Sequence, residues 1–354
     1  MADLPAGVAA SGGGERGDWE LTTVADDEAV FFRGAEVRRM EGLEPGRTYR
    51  AFGQEFTTLP RPPGERLATV ATVNDVHFGE TVAGHIEGMD IGPVMRSAPG
   101  ERPYPEVMNS AAVAEIASLR PDAVVAKGDL TATGTPEEYA AFEGCYRPVF
   151  GDRLFVTRGN HDNRAAGAAF DCPPAQRIDV PGAVLALLDT SRPGQGGGAL
   201  DQRQLDWLDD LAAGLDVPLL VFGHHPCWQD LPGDWAGEGA SLDPASSAAL
   251  VALAARRPAV VGYAAGHTHR NRVRYFPETG TAPFIEVACV KDFPGSWAEY
   301  RVFEGGILQV HRRLSRPEAV AWSEQCRAMV FGLYPQYAFG ALGERCLALP
   351  PRWG

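Results

Sequence analysis

The chain of 354 residues is long enough to bury one large core plus a smaller appendage, and its 45% apolar and 22% charged residues describe a globular protein rather than a disordered one. A formal net charge of −14 sets the surface against polyanions, which argues against long nucleic acid as a partner; small phosphate esters stay open, because bound cations can reverse the local sign. Six scattered cysteines without a CxxC pair argue against a disulfide framework or a thiolate zinc site, and with no secretory signal and no membrane-length apolar run the expected address is the cytoplasm, with no membrane partner.

In chain order, residues 1–18 are Gly- and Ala-rich and are expected to be disordered. From Trp19 to Thr58 the stretches WELTTV, AVFFRG, TYRAF and EFTTL alternate as strands do between turn signals. LEPGRTYRAFGQEFTTLP resembles the end of a fibronectin-type-III-like module, and an N-terminal β extension packed on the main domain explains the same residues equally well. PRPPG at 60–64 reads as a linker, which sets expected boundaries at 19–64, 65–315 and 316–354. Strands then alternate with helices: RLATVATVN at 66–74, a helix at 109–119, AVVA at 123–126, and a helix opening at Thr135 with a capping box. LFVT at 154–157, AVLALL at 183–188, a helix at 201–213, a strand at 217–222, a helix at 244–256 and a strand at 259–264 continue the pattern. The chain next turns to β (RVRYF, PFIEVAC, AEYRVF, ILQVHRRL) and ends in a helix from Pro317 to about Leu333 and an aromatic tail. This order predicts an α/β fold of two packed sheets with helices outside.

Polar clusters fall just past the carboxyl ends of five predicted strands: Asp75-Val-His77, Gly128-Asp129, Gly159-Asn160-His161-Asp162, Gly223-His224-His225 and Gly266-His267-Thr-His269. Sheets of this class place ligand sites at that end, and four of the five clusters begin on a glycine that permits a sharp turn. Imidazole, carboxylate and carboxamide together suit a pair of borderline divalent ions better than a structural zinc, and a pair about 3.5–4 Å apart can polarise a phosphoryl oxygen and activate water. No Walker loop and no GxSxG elbow occurs.

The series DxH, GD, GNHD, GHH and GHTH resembles the calcineurin-like metallophosphoesterase superfamily over roughly residues 66–312, and GDLTATGTPEEY looks like its branch of class III cyclic nucleotide phosphodiesterases and glycerophosphodiesterases. The resemblance implies a four-layer αββα fold and two divalent ions per chain: manganese, iron or zinc. It implies that Asp75, His77 and His269 bind the first ion, that Asn160, His224 and His267 bind the second, and that Asp129 bridges them. His224 and His225 compete for one position; the family's ligand lies two residues before the proline, which selects His224 and leaves His225 to face the substrate or fill the loop. Asn160 also lies where substrate binds. His161 is expected outside the ligand set, meeting the substrate as an acid or charge stabiliser, with Asp162 orienting it.

The expected activity is hydrolysis of a small phosphodiester by in-line attack of a metal-bound hydroxide. A phosphomonoesterase is the alternative; a nuclease or a non-catalytic scaffold is less favoured, and homo-oligomerisation is left open. His85 reads as a loop histidine, the Gly-, Pro- and Met-rich residues 79–105 as a lid, and Trp297, Tyr300, Tyr334 and Tyr337 as core or interface aromatics.

Overall fold

A computed structural model of the chain describes residues 18–86, 88, 90–164, 168–229 and 238–352. Apart from Asp18, the stretch expected to be disordered lies outside them, as do residues 87 and 89 of the expected lid. Five short strands come first. β1 (Glu20–Val24), β2 (Glu28–Arg33) and β3 (Glu36–Glu41) form an antiparallel sheet, and β4 (Thr48–Ala51) pairs with β5 (Gln54–Thr57). The β4–β5 turn is Phe52-Gly53 with φ of +51° and +78°, the two-residue geometry whose twist matches a hairpin. β3 (EVRRME) escaped the sequence reading, because its polar residues give a single-sided strand no apolar alternation.

The larger body follows as β6 (Arg66–Val73), α1 (Tyr104–Ser118), β7 (Ala123–Lys127), α2 (Pro136–Phe150), β8 (Leu154–Thr157), β9 (Ala175–Val180), β10 (Ala183–Leu188) and α3 (Gln202–Ala213). It continues with β11 (Leu219–Phe222), α4 (Pro244–Arg256), β12 (Val260–Ala265), β13 (Arg272–Tyr275), β14 (Pro283–Glu286), β15 (Ser296–Phe303), β16 (Gly306–Arg313), α5 (Pro317–Cys326), α6 (Tyr334–Ala338), α7 (Leu342–Arg345) and β17 (Leu347–Leu349). One six-stranded sheet runs β17-β16-β15-β6-β7-β8, the other β13-β14-β12-β11-β10-β9. In the first, β6, β7 and β8 are parallel neighbours; in the second, β10, β11, β12 and β14 are.

Period-two alternation divides these strands between three cores. Val70, Val125, Leu185, Leu220 and Phe222 meet between the sheets. Ala71, Val73, Val124 and Ala126 face the other way, toward α1, α2 and α5, and Val184, Ala186, Leu219 and Val221 face α3 and α4. The result is the expected stack of four layers, helix–sheet–sheet–helix. Thr135 caps α2 with a capping box to Glu138, and Asp201 caps α3 with one to Gln204. α1 starts five residues earlier than predicted, because Pro105 sits in the first turn, where its missing N–H costs nothing. The helix predicted through Leu333 ends at Cys326, and Val330 and Phe331 both take φ of +52°.

Candidate metal centre

The five polar clusters all leave the sheets at one end. Asp75 and His77 follow β6, Asp129 follows β7, and Asn160 and His161 follow β8, all in the first sheet. His224 follows β11, and His267 and His269 follow β12, in the second. Turning side chains inward this abruptly bends the backbone. Of nine non-glycine residues with positive φ among the described residues, five are Asp75, His77, Asp129, His267 and His269, at +45° to +69°. Such conformations cost free energy and gather where function requires them. Gly128 has φ of +87°, and a Cβ there would lie 2.7 Å from both the Gly159 nitrogen and His224 Nδ1. Three loops therefore meet over a position only glycine can fill.

The side chains converge on one space between the sheet ends. Asp129 Oδ2 is 3.6 Å from His77 Nε2 on one side and 3.3 Å from His224 Nε2 on the other. His269 Nε2 is 3.4 Å from Asp75 Oδ1, and the donor atoms of Asp75, His77 and His269 lie within 4.8 Å of one another. Asn160 Oδ1 is 3.3 Å from His224 Nε2, and the His224 and His267 rings are 5.0 Å apart. All seven residues expected around the ion pair are thus brought together. Their orientation is fixed from behind: the Asp75 carboxylate accepts from Asn74 Nδ2 at 2.6 Å and from the His267 amide, and His224 Nδ1 donates to the Lys127 carbonyl at 2.8 Å.

Their electrostatics suit cations. Burial opposes charge on His224, but Asp129 and Asp75 overcome it and raise its pKa to about 9. Burial and the neighbouring His161 hold His77 well below the usual histidine range, in the neutral form that ligates metals. His77 is 2% exposed, yet among the described residues neither ring nitrogen has a hydrogen-bond partner, and His267 Nδ1 has none either. Unsatisfied buried imidazole nitrogens are costly. Divalent ions would satisfy them, and the donor set fits such ions.

Two further side chains of these clusters bond away from the ion-binding donors. Asp162 does not orient His161: its carboxylate accepts from the amides of Leu130, Thr131 and Gly159 and from the Thr131 hydroxyl, binding the Asp129 loop to the Gly159 turn. His161 Nδ1 instead donates to the Ala132 carbonyl at 2.7 Å. Burial and nearby Asp129 push Asp162 up to about 7. Of the two roles left open for His225, its contacts match the filling of the loop. It is fully buried, Nδ1 pairs with the Thr190 hydroxyl at 2.8 Å, and Nε2 donates to the Gly196 carbonyl at 3.1 Å.

Other residues of the centre went unread in the sequence. Lys127, buried and pushed down to about 7 by that burial, donates from Nζ to the Ala265 carbonyl and so joins β7 to β12 across the seam. A lysine closing the otherwise apolar AVVAK strand was the available signal. Glu80, Lys291 and Asp292 form an ion-paired cluster behind His77 and His269 that no spacing announces.

Residues 68–271 match the model of the calcineurin-like phosphoesterase family. A probable cyclic nucleotide phosphodiesterase of Rhodococcus erythropolis is 36% identical over 32% of this chain and 42% of its own. A glycerophosphodiester phosphodiesterase of Enterobacter lignolyticus is 32% identical over 46% of this chain and 61% of its own, so the chain spans less than two thirds of either relative. Among solved structures, a dimetal phosphatase from Danio rerio superposes with a TM-score of 0.54 at 14% identity, covering 70% of this chain and 97% of that one, which shows a shared fold. Among the described residues no helix is long and apolar enough to cross a membrane. With the matched stretch spanning more than half of its residues, this chain belongs to the calcineurin-like phosphoesterase family.

Proposed function

We propose that the protein hydrolyses a small phosphodiester, of the cyclic nucleotide or glycerophosphodiester type, at a centre of two divalent ions carried by residues 65–315. The observation that carries this is the meeting of the seven donor side chains between the sheet ends, where the buried His77 Nε2 faces Asp129 with no hydrogen-bond partner among the described residues. The choice of diester rests on the names of the two bacterial relatives. Asp75, His77 and His269 would hold one ion and Asn160, His224 and His267 the other, with Asp129 facing both. When bound, the ions supply Lewis-acid polarisation of the phosphoryl oxygens and acidify the attacking water. Manganese, iron and zinc all accept this donor set.

The chain's own contribution centres on His161. Its Nδ1–H is held on the Ala132 carbonyl and its amide on Asp129 Oδ1, which aims Nε2 past Asp129 Oδ2 at 4.0 Å. Half-buried at the edge of the centre, a protonated Nε2 there can donate to the departing alkoxide. Asn160 lies beside it, where its amide meets the substrate phosphate.

Turnover of bis(p-nitrophenyl) phosphate and p-nitrophenyl phosphate by chelator-treated protein, before and after addition of manganese, tests this. We expect ion-dependent activity and a higher kcat/KM for the diester. Faster monoester turnover would overturn the substrate class, and no ion-dependent turnover of either would overturn the function.

A further inference from the structure

His77 and His269 each carry a carboxylate on the ring edge that faces away from the centre. His269 Nδ1 lies 3.6 Å from Asp292 Oδ2, and His77 Nδ1 lies 3.8 Å from Glu80 Oε1. One buried ammonium joins the two carboxylates: Lys291 Nζ is 2.7 Å from Glu80 Oε2 and 3.1 Å from Asp292 Oδ2. Asp292 also accepts from the Tyr334 hydroxyl and the Cys289 thiol, each at 2.8 Å. The opposite half of the centre is built differently. There His224 Nδ1 is backed by a neutral carbonyl, that of Lys127.

We propose that Asp292, anchored by Tyr334 from the C-terminal segment, is a positioning residue that fixes His269 for its ion. A carboxylate on the Nδ1 side fixes the tautomer, leaves the Nε2 lone pair free for the ion and raises its basicity. Lys291 cancels one of the two buried negative charges, so the Glu80–Lys291–Asp292 cluster presents a net −1 behind two ion-binding histidines. The tyrosine hydroxyl and the thiol occupy Asp292 Oδ1, which leaves Oδ2 for Lys291 and His269. Asp292, Lys291 and Tyr334 all lie beyond residue 271, outside the stretch the family model matches. Helix α6 is therefore part of the centre rather than an appendage to it. Tyr337, one turn along, donates to the Thr268 carbonyl between the two histidines of the last cluster.

The inference rests on the proposed ion centre, and its test separates the two. Cobalt(II) affinity is measured by competition with a chromophoric chelator, alongside the visible spectrum of the bound ions. The proteins compared are the wild type, Asp292→Asn, Tyr334→Phe and Tyr300→Phe. Tyr300 is a buried tyrosine bonded to Gln309 at 2.8 Å within β15–β16, so its variant controls for loss of a buried hydroxyl as such. The wild type should take two ions. Asp292→Asn should bind one of them about 10–100-fold more weakly, with a changed spectrum for that ion. Tyr334→Phe should lose a smaller factor for the same ion, and Tyr300→Phe should match the wild type. A wild type with two ions and both Asp292→Asn and Tyr334→Phe unchanged would overturn the positioning role while sparing the centre. Equal losses in Tyr300→Phe and Tyr334→Phe would overturn it too, as a general effect of stability. A wild type that takes up no ion removes the centre and this inference together. Should Asp292→Asn not fold, Tyr334→Phe against Tyr300→Phe decides alone.

Discussion

His161 and Asp162 are neighbours in sequence, and their fates show what a motif conveys. GNHD marks both as site residues, but adjacency gives no direction. His161–Asn163 form a 3-10 turn, in which successive side chains point about a third of a turn apart. The ring therefore faces the centre while the carboxylate turns inward to three amides. The same limit hid the fate of His225, which turns back to Thr190 while His224 enters the site. Replacing His161 isolates its role. His161→Ala should lose about 10²–10⁴-fold on substrates with an alkoxide leaving group and at least tenfold less on p-nitrophenyl esters, which depart unaided. Steady-state kinetics on the two substrate types, with ion content measured in parallel, checks this. Equal losses on both would assign His161 to charge stabilisation at the phosphoryl group instead, and loss of an ion would make it a ligand.

At the scale of elements, the strands that carry the centre were the most legible part of the chain. β7, β10, β11 and β12 are buried on both faces and read as short apolar runs, β6 is buried over its last four residues, and the capping boxes of α2 and α3 announce their first turns. Two of the four edge strands of the large sheets were not legible. β9 and β17 each border a sheet, and neither AQRIDV nor LAL carries enough alternation to stand out. The turns behind the strands carry the strain, and Gly128 tests it directly. Gly128→Ala should destabilise the protein by roughly 1–2 kcal/mol from the left-handed backbone alone. Its methyl group also presses on His224 Nδ1, so ion affinity should fall with stability. Thermal melts with and without manganese measure both effects, and a variant with wild-type ion affinity would show that the loops accommodate the methyl.

Across the whole molecule, the N-terminal strands are fastened to the second half of the chain by buried charge. Arg301 reaches Asp26, Asp27, Glu28 and Glu299, and Arg312 reaches Glu28 and Glu299. Composition reports a net charge but not such pairing, which joins residues some 270 positions apart and leaves no local trace. Burial alone would raise Glu299, yet Arg312, Arg301 and Arg66 hold it at about 2, below an ordinary value of 4.5. A depressed carboxylate stabilises the fold above its unfolded pKa and loses that contribution as pH falls through the folded one. Stability should therefore decline as pH drops from about 5 to 2, and Glu299→Gln should flatten that decline while melting lower at pH 7, where it takes one carboxylate partner from each of two buried arginines. Melting temperature against pH for both proteins reads the two effects, and parallel acid limbs would show that other carboxylates govern acid unfolding.

The centre lies across the seam between the sheets, with Asp75, His77, Asp129 and Asn160 on one side and His224, His267 and His269 on the other. Ions held there would act as a rivet at one end of the sandwich, and the opposite end has no such fastening through these residues. Stripping them should leave the secondary structure in place and let the sheets breathe apart from that end. Amide hydrogen exchange should then quicken at residues 73–78, 127–131, 222–226 and 265–269 on chelation, while the amino-terminal ends of β6, β7, β11 and β12 keep their protection.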